Sequence, residues 1–179
     1  MQITEQAQSA VAAEGRPPGA DEFSRLYLES RDDLFAYLAF LVGDRSLAEE
    51  LTAAAFERAF RKRALFNRNR GDLRGWLFRI ARNSAVDELR RSQRESALVL
   101  PDERAGADAA TSVDDRLTVE RALKELRPSE RELIALKFFA GLENDQISRI
   151  LKISRSNAGT QLHRAMTRLR EVIGEQNDA

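Results

Sequence analysis

The chain has 179 residues, the size of one ordinary domain or two small ones, and its 29 Lys plus Arg balance 29 Asp plus Glu to a formal charge of zero. At 32% charged and 42% hydrophobic residues it is too apolar to be wholly disordered and too charged for a membrane protein. Zero Cys excludes disulfides and thiolate metal sites, and a single His, His163, removes most zinc and triad chemistry. Neither phosphate-cradling glycine motif occurs, so no catalytic residue, metal site or cofactor is expected. No apolar run approaches the roughly 20 residues of a membrane helix, and the start MQITEQAQSAVAAEGRPPG lacks the basic and apolar parts of a signal peptide. The expectation is a cytoplasmic protein without membrane insertion. Zero net charge also argues, at first sight, against a nucleic-acid binder.

Residues 1–21, rich in Ala, Gln and Glu and ending near Pro17-Pro18-Gly19, read as a flexible leader. From Phe23 to Val42 the apolar residues Leu26, Tyr27, Leu34, Tyr37, Leu38, Leu41 and Val42 recur at helical intervals, and Gly43 closes the run. Ser46-Leu47-Ala48-Glu49 has capping-box form and opens a helix carrying Leu51, Ala55, Phe56, Ala59 and Phe60. A basic stretch from Arg61 to Gly71 interrupts it. A third helix is expected from Asp72 to Arg94, with Leu73, Trp76, Leu77 and Ile80 on one stripe and Arg79, Arg82, Asn83, Val86 and Arg90 on the neighbouring face. The segment 96–115, with Pro, Gly, small residues and acids, reads as an acidic linker. A second helical block fills 116–175, and nothing alternates like a strand. The fold class is all-α: two small helical domains joined by a flexible acidic linker.

Charge segregates along this plan. Between Arg58 and Arg94 twelve Lys or Arg face three acids, an electrostatic footprint for a polyanion; an ordinary solvated basic face is the plainer explanation for the helix taken alone. Phe66 and Trp76 are able to stack on unpaired bases, although Trp76 lies on the apolar stripe and fits a core position better. In the second block, Asn144 to Leu151 reads as a short helix with Ile147, Ile150 and Leu151 inward. Lys152-Ile153-Ser154 is a turn whose Ser caps a longer helix with Ala158, Leu162, Ala165, Leu169 and Ile173 on one face. This pattern reads as a helix-turn-helix, with a plain helical hairpin as the blander alternative, the second helix presenting Ser156, Thr160, His163 and Thr167, flanked by Asn157, Gly159 and Arg164. From Ile147 to Arg170 there are six Lys or Arg and no acid. Gly159 costs about 1 kcal/mol relative to Ala inside a helix, and close approach to DNA is one reason for it.

Taken in order, these residues resemble the extracytoplasmic function sigma factors of bacterial RNA polymerase, within the sigma-70 family. The resemblance runs from about Phe23 to Glu171. It rests on Leu47-Ala48-Glu49-Glu50-Leu51 with Phe56 and Ala59-Phe60, on Trp76-Leu77-Phe78-Arg79-Ile80-Ala81-Arg82-Asn83 with Asp87 and Leu89-Arg90-Arg91, and on Leu126-Arg127-Pro128 with Glu130-Arg131. It continues through Gly141-Leu142, Ile147, Ile150-Leu151, Ile153-Ser154, Leu162-His163-Arg164-Ala165 and Leu169-Arg170. The order and spacing, more than any single piece, carry the match.

The resemblance implies a region 2 domain over 22–95 and a region 4 domain over 116–175. By this analogy Glu49, Glu50, Phe56 and Arg58 meet core RNA polymerase. Arg68, Arg70, Arg79, Arg82, Asn83 and Arg90 contact the promoter −10 element, where strands separate. Arg155, Ser156, Asn157, Thr160, His163 and Arg164 face the −35 element in duplex form. The linker imitates negative charge within the polymerase, and an anti-sigma factor is an expected partner beside core polymerase and promoter DNA. The chain departs from the family pattern at Ala53 and Ala54, where a Gln and an acid are usual, and at Gly159 and Gln161, where a Lys and an Arg are typical. The alternative from a different functional class is a stand-alone helix-turn-helix regulator, or a sigma-like adaptor that binds polymerase without melting DNA. A nuclease built on Asp32-Asp33 or Glu49-Glu50 is disfavoured because adjacent acids on a helix diverge by about 100°. Zero net charge is thus a sum over segregated parts, and it suggests weak unaided DNA binding.

Overall fold

The computed structural model describes residues 17–96, 119, 122–123 and 125–177. Residues 97–115 of the acidic linker and 1–16 of the leader fall outside them, whereas Ser96, expected to open the linker, ends a helix. Helix α1 spans Ala20–Val42 and starts after Gly19, with Asp21 and Glu22 in the first turn, where the exposed amides favour negative charge. It is one unbroken helix, closed at Gly43, whose φ of 70° lets its amide return to Ala39 O at 2.9 Å.

Helix α2 spans Arg45–Arg61. Its N-cap is Asp44, whose Oδ1 accepts from Leu47 N at 3.0 Å, so the expected Ser46 cap is displaced by two residues. Both side chains suit the role, and the carboxylate adds charge at the positive end of the helix. Two single 3₁₀ turns, Arg63–Leu65 and Arg68–Arg70, then carry the basic stretch to α3, Leu73–Ser96. Asp72 caps α3 through Gly75 N at 2.8 Å. The buried stripe of α3 is Leu73, Leu77, Phe78, Ala81 and Ala85, with Trp76 and Ile80 half-buried at its edge. The stripe is rotated from the expected one because α3 packs on α1 and α2 on one side and on the second block on the other.

The second block begins for packing purposes at Ala122 and Leu123, both buried. Helix α4, Pro128–Ile134, has Pro at its start and Glu130 reaching back to Arg127 N at 2.9 Å. It widens into a π turn, Ala135–Phe139, closed by Ala140 N to Ala135 O at 3.0 Å. The extra residue points Phe138 outward, 60% exposed, and lays Phe139 against Phe40 of α1, centroids 4.8 Å apart and planes at 22°. Helices α5, Asn144–Leu151, and α6, Arg155–Asn177, complete the chain.

Two apolar clusters hold this arrangement. The smaller joins Ala122, Leu123, Leu126 and Ile134 to Ala165 and Leu169 of α6. The larger runs without a break from Leu34, Tyr37, Leu77 and Phe78 of the first block into Leu133, Leu136, Leu142, Ile147 and Ile150 of the second. The two helical units therefore pack on each other, α3 against α5 and α1 against the π turn.

Candidate nucleic-acid interface

The helix-turn-helix forms as the spacing predicts. Lys152 adopts a left-handed conformation, φ 58°, and Ile153 N returns to Ser148 O at 3.0 Å, so α5 ends abruptly. Ser154 Oγ accepts from Asn157 N at 3.2 Å and caps α6. Ile147 and Ile150 of α5 and Ala158 of α6 are buried in one cluster, and Ala165 of α6 is buried in the other, with Leu126 and Ile134. That fixes the opposite face of α6 outward: Arg155, Ser156, Asn157, Thr160, His163 and Arg164 are all exposed. Thr160 Oγ1 is turned back to Ser156 O at 3.0 Å. Gln161 Nε2 donates to Asn157 Oδ1 at 2.9 Å, so Gln161 orients the amide beside it. An added Cβ at Gly159 would meet Asn144 Nδ2 at 3.5 Å, an ordinary contact, so packing inside the protein does not demand glycine there.

The first-block residues divide more unevenly. Arg70, Asn83 and Arg90 are exposed. Arg68 is held by Glu22 through two bonds of 2.9 and 2.7 Å, and its guanidinium lies 5.7 Å from the Phe66 ring. Phe66 in turn packs on Trp76 at 5.5 Å, so the two aromatics suggested for base stacking contact each other. Arg79 and Trp76 line a narrow cleft between α3 and α5 with Gln146, Arg149 and Ile150. Arg82 is bound in bidentate fashion to Glu132 of α4, Nε to Oε1 at 2.6 Å and Nη2 to Oε2 at 2.9 Å. The pair is largely enclosed, with side-chain exposures of 25% and 12%. Tyr37 Oη donates to the same carboxylate at 3.4 Å, and burial pushes the Tyr37 phenol well above its ordinary range, aided by the Glu132 charge. Nearby, Arg74 Nη2 bridges Asp33 Oδ2 and Ala140 O, each at 2.6 Å, and Gln146 Nε2 donates to Asp72 Oδ1 at 3.0 Å.

On α2, Glu49, Glu50 and Arg58 are exposed, as are Ala53 and Ala54. Phe56 is different. It is only 7% exposed, edge-on to Tyr27 at 4.9 Å, and serves the packing of α2 on α1, so it offers little surface to a partner. Sequence reasoning missed Glu132, Tyr37 and Arg74, which tie the two units together. Arg82 and Glu132 lie fifty positions apart, and no local pattern pairs them.

Two family models match the chain in order, "Sigma-70 region 2" over residues 26–95 and "Sigma-70, region 4" over residues 116–169. Among curated relatives, the ECF RNA polymerase sigma factor SigL of Mycobacterium tuberculosis is 30% identical over 84% of this chain and 88% of its own length. The chain belongs to the sigma-70 family, in its extracytoplasmic function group. This makes it a promoter-directing transcription initiation factor. The ECF sigma factor BldN of Streptomyces coelicolor is 27% identical over 97% of this chain, which spans 65% of that relative's length.

Two solved structures share the fold. They are the sigma factor RpoE with the anti-sigma factor NepR from Bartonella quintana and CnrH with the cytosolic domain of CnrY. The first has a TM-score of 0.74 at 23% identity, covering 87% of this chain and 98% of that one. The second has 0.65 at 19%, covering 88% and 90%. The region 2 match falls on α1–α3 and the region 4 match on α4–α6. Among the described residues no helix is long and apolar enough to cross a membrane, and no group of three carboxylates or imidazoles converges to hold a metal ion.

Proposed function

We propose that this chain binds core RNA polymerase and directs initiation at a defined set of promoters, the region 2 domain opening the −10 element and the region 4 domain reading the −35 element. The observation that carries this reading is the separation of two basic surfaces onto the two matched regions, with α6 presenting Arg155, Asn157 and Arg164 outward. Arg70 and Arg90, joined by Arg79 and Arg82, supply cations for the −10 phosphates, and Asn83 supplies a neutral amide beside them. In this reading Asn157 and Ser156 meet base edges, and Arg155, His163 and Arg164 meet phosphates. Glu49, Glu50 and Arg58 form the polymerase-facing surface of α2, with Phe56 supporting it from beneath. Ala53 and Ala54 leave the middle of that surface uncharged, so its contact is carried by the flanking charges.

The chain does no covalent chemistry in this reading, since nucleotide addition belongs to the polymerase, and it acts in the cytoplasm. An anti-sigma factor is a further partner, by analogy with the structural neighbour RpoE, which was solved with the anti-sigma factor NepR. Permanganate footprinting of a cognate promoter separates this function from that of a stand-alone regulator or non-melting adaptor. Thymines around −10 become reactive only when chain and core polymerase are both present; binding without reactive thymines would assign the adaptor role instead.

A further inference from the structure

We infer that the region 4 domain closes on the region 2 domain through a Glu132 latch, in which the Glu132 carboxylate stands where a DNA phosphate is to bind Arg82. A carboxylate and a phosphate present the same paired oxygens to a guanidinium, and the Arg82–Glu132 contact is bidentate. Four further contacts close the same seam: Tyr37 on Glu132, Phe139 stacked on Phe40, Arg74 on Ala140 O, and Gln146 on Asp72. Arg79 lies in the cleft beneath α5.

The closure is one-sided. It occupies Arg82 and screens Arg79, whereas every proposed −35 residue of α6 stays exposed. The closed molecule keeps its −35 helix available and withholds the centre of its −10 face. Opening breaks the Arg82–Glu132 contact and frees Arg82 for phosphate, so any partner that draws the two domains apart also completes the −10 surface. When only a fraction of molecules is open, apparent affinity for single-stranded DNA falls by that fraction.

The inference that Glu132 competes with DNA rests on the −10 assignment of Arg82, and the test separates the two. The full chain is measured by small-angle scattering, by emission of its one tryptophan, Trp76 at the seam, and by binding to a fluorescein-labelled single-stranded dT12 oligonucleotide. Glu132→Ala is expected to enlarge the radius of gyration, red-shift Trp76 and tighten dT12 binding about tenfold. Charge exchange in the double variant Arg82→Glu, Glu132→Arg is expected to restore the compact radius that Glu132→Arg alone loses. This rescue distinguishes a latch from simple loss of folding. If Glu132→Ala opens the molecule without tighter binding, the latch stands and the −10 role of Arg82 fails. An unchanged radius and unchanged Trp76 emission in both Glu132→Ala and Glu132→Arg would overturn the latch.

Discussion

Ser30 is fully buried in α1, and its hydroxyl has no hydrogen-bond partner. A buried hydroxyl without a partner costs on the order of 1–3 kcal/mol, while Ala fills nearly the same volume. Ser30→Ala is therefore expected to stabilise the protein by about 1 kcal/mol, seen as a higher urea midpoint at unchanged m-value. At the Arg68–Glu22 pair, the hydrogen bond from Arg68 holds the Glu22 carboxyl below its usual range. A depressed folded pKa means the stabilisation is present above the unfolded pKa and is lost as pH falls through the folded one. The pair is about a third exposed, so its worth is below about 1 kcal/mol. Glu22→Gln should lower stability by that amount at neutral pH, and the two proteins should converge in acid. None of this was legible in the sequence. Ser30 reads there as an ordinary helical serine, and Glu22 and Arg68 are separated by 46 positions.

The helices were far more legible, because their signals are local. Gly43 as a C-cap, Ser154 as an N-cap and the apolar spacing of α6 all lie within a few residues of what they determine. Asp44 displaced Ser46 because two good caps stood two residues apart. The π turn at Ala135–Phe139 had no sequence signature; tertiary contact with α1 accompanies it. Gly43→Ala is expected to cost about 1 kcal/mol, since φ of 70° crowds a Cβ against the backbone. In the recognition helix, Arg164→Ala should weaken duplex binding on all sequences and reduce the slope of log K against log salt by about 1. Asn157→Ala should instead relax discrimination at one or two −35 positions. Gln161→Ala should give a milder form of the same defect, because it frees the Asn157 amide that Gln161 now orients. Binding isotherms on duplexes carrying single base changes, repeated across salt, separate the three.

For the whole molecule, the zero net charge is an arrangement, with basic faces on α3 and α6 and acids elsewhere that offset them. Among the residues proposed for the −10 element, Arg68 is paired with Glu22 and Arg82 with Glu132. The all-helical class, the order of the helices and the exposed face of α6 followed from periodicity and composition, whereas the docking of one helical unit on the other did not, because it depends on pairs distant in the chain. The docking also explains why weak unaided DNA binding is expected despite twelve basic residues between Arg58 and Arg94. The most direct measurement is run-off transcription on a genomic template library with purified core polymerase, with and without this protein. Discrete transcripts whose start sites share a common pair of upstream elements should arise only when both are present. Tight binding to core polymerase with no promoter-specific transcript from any template would contradict the proposed function.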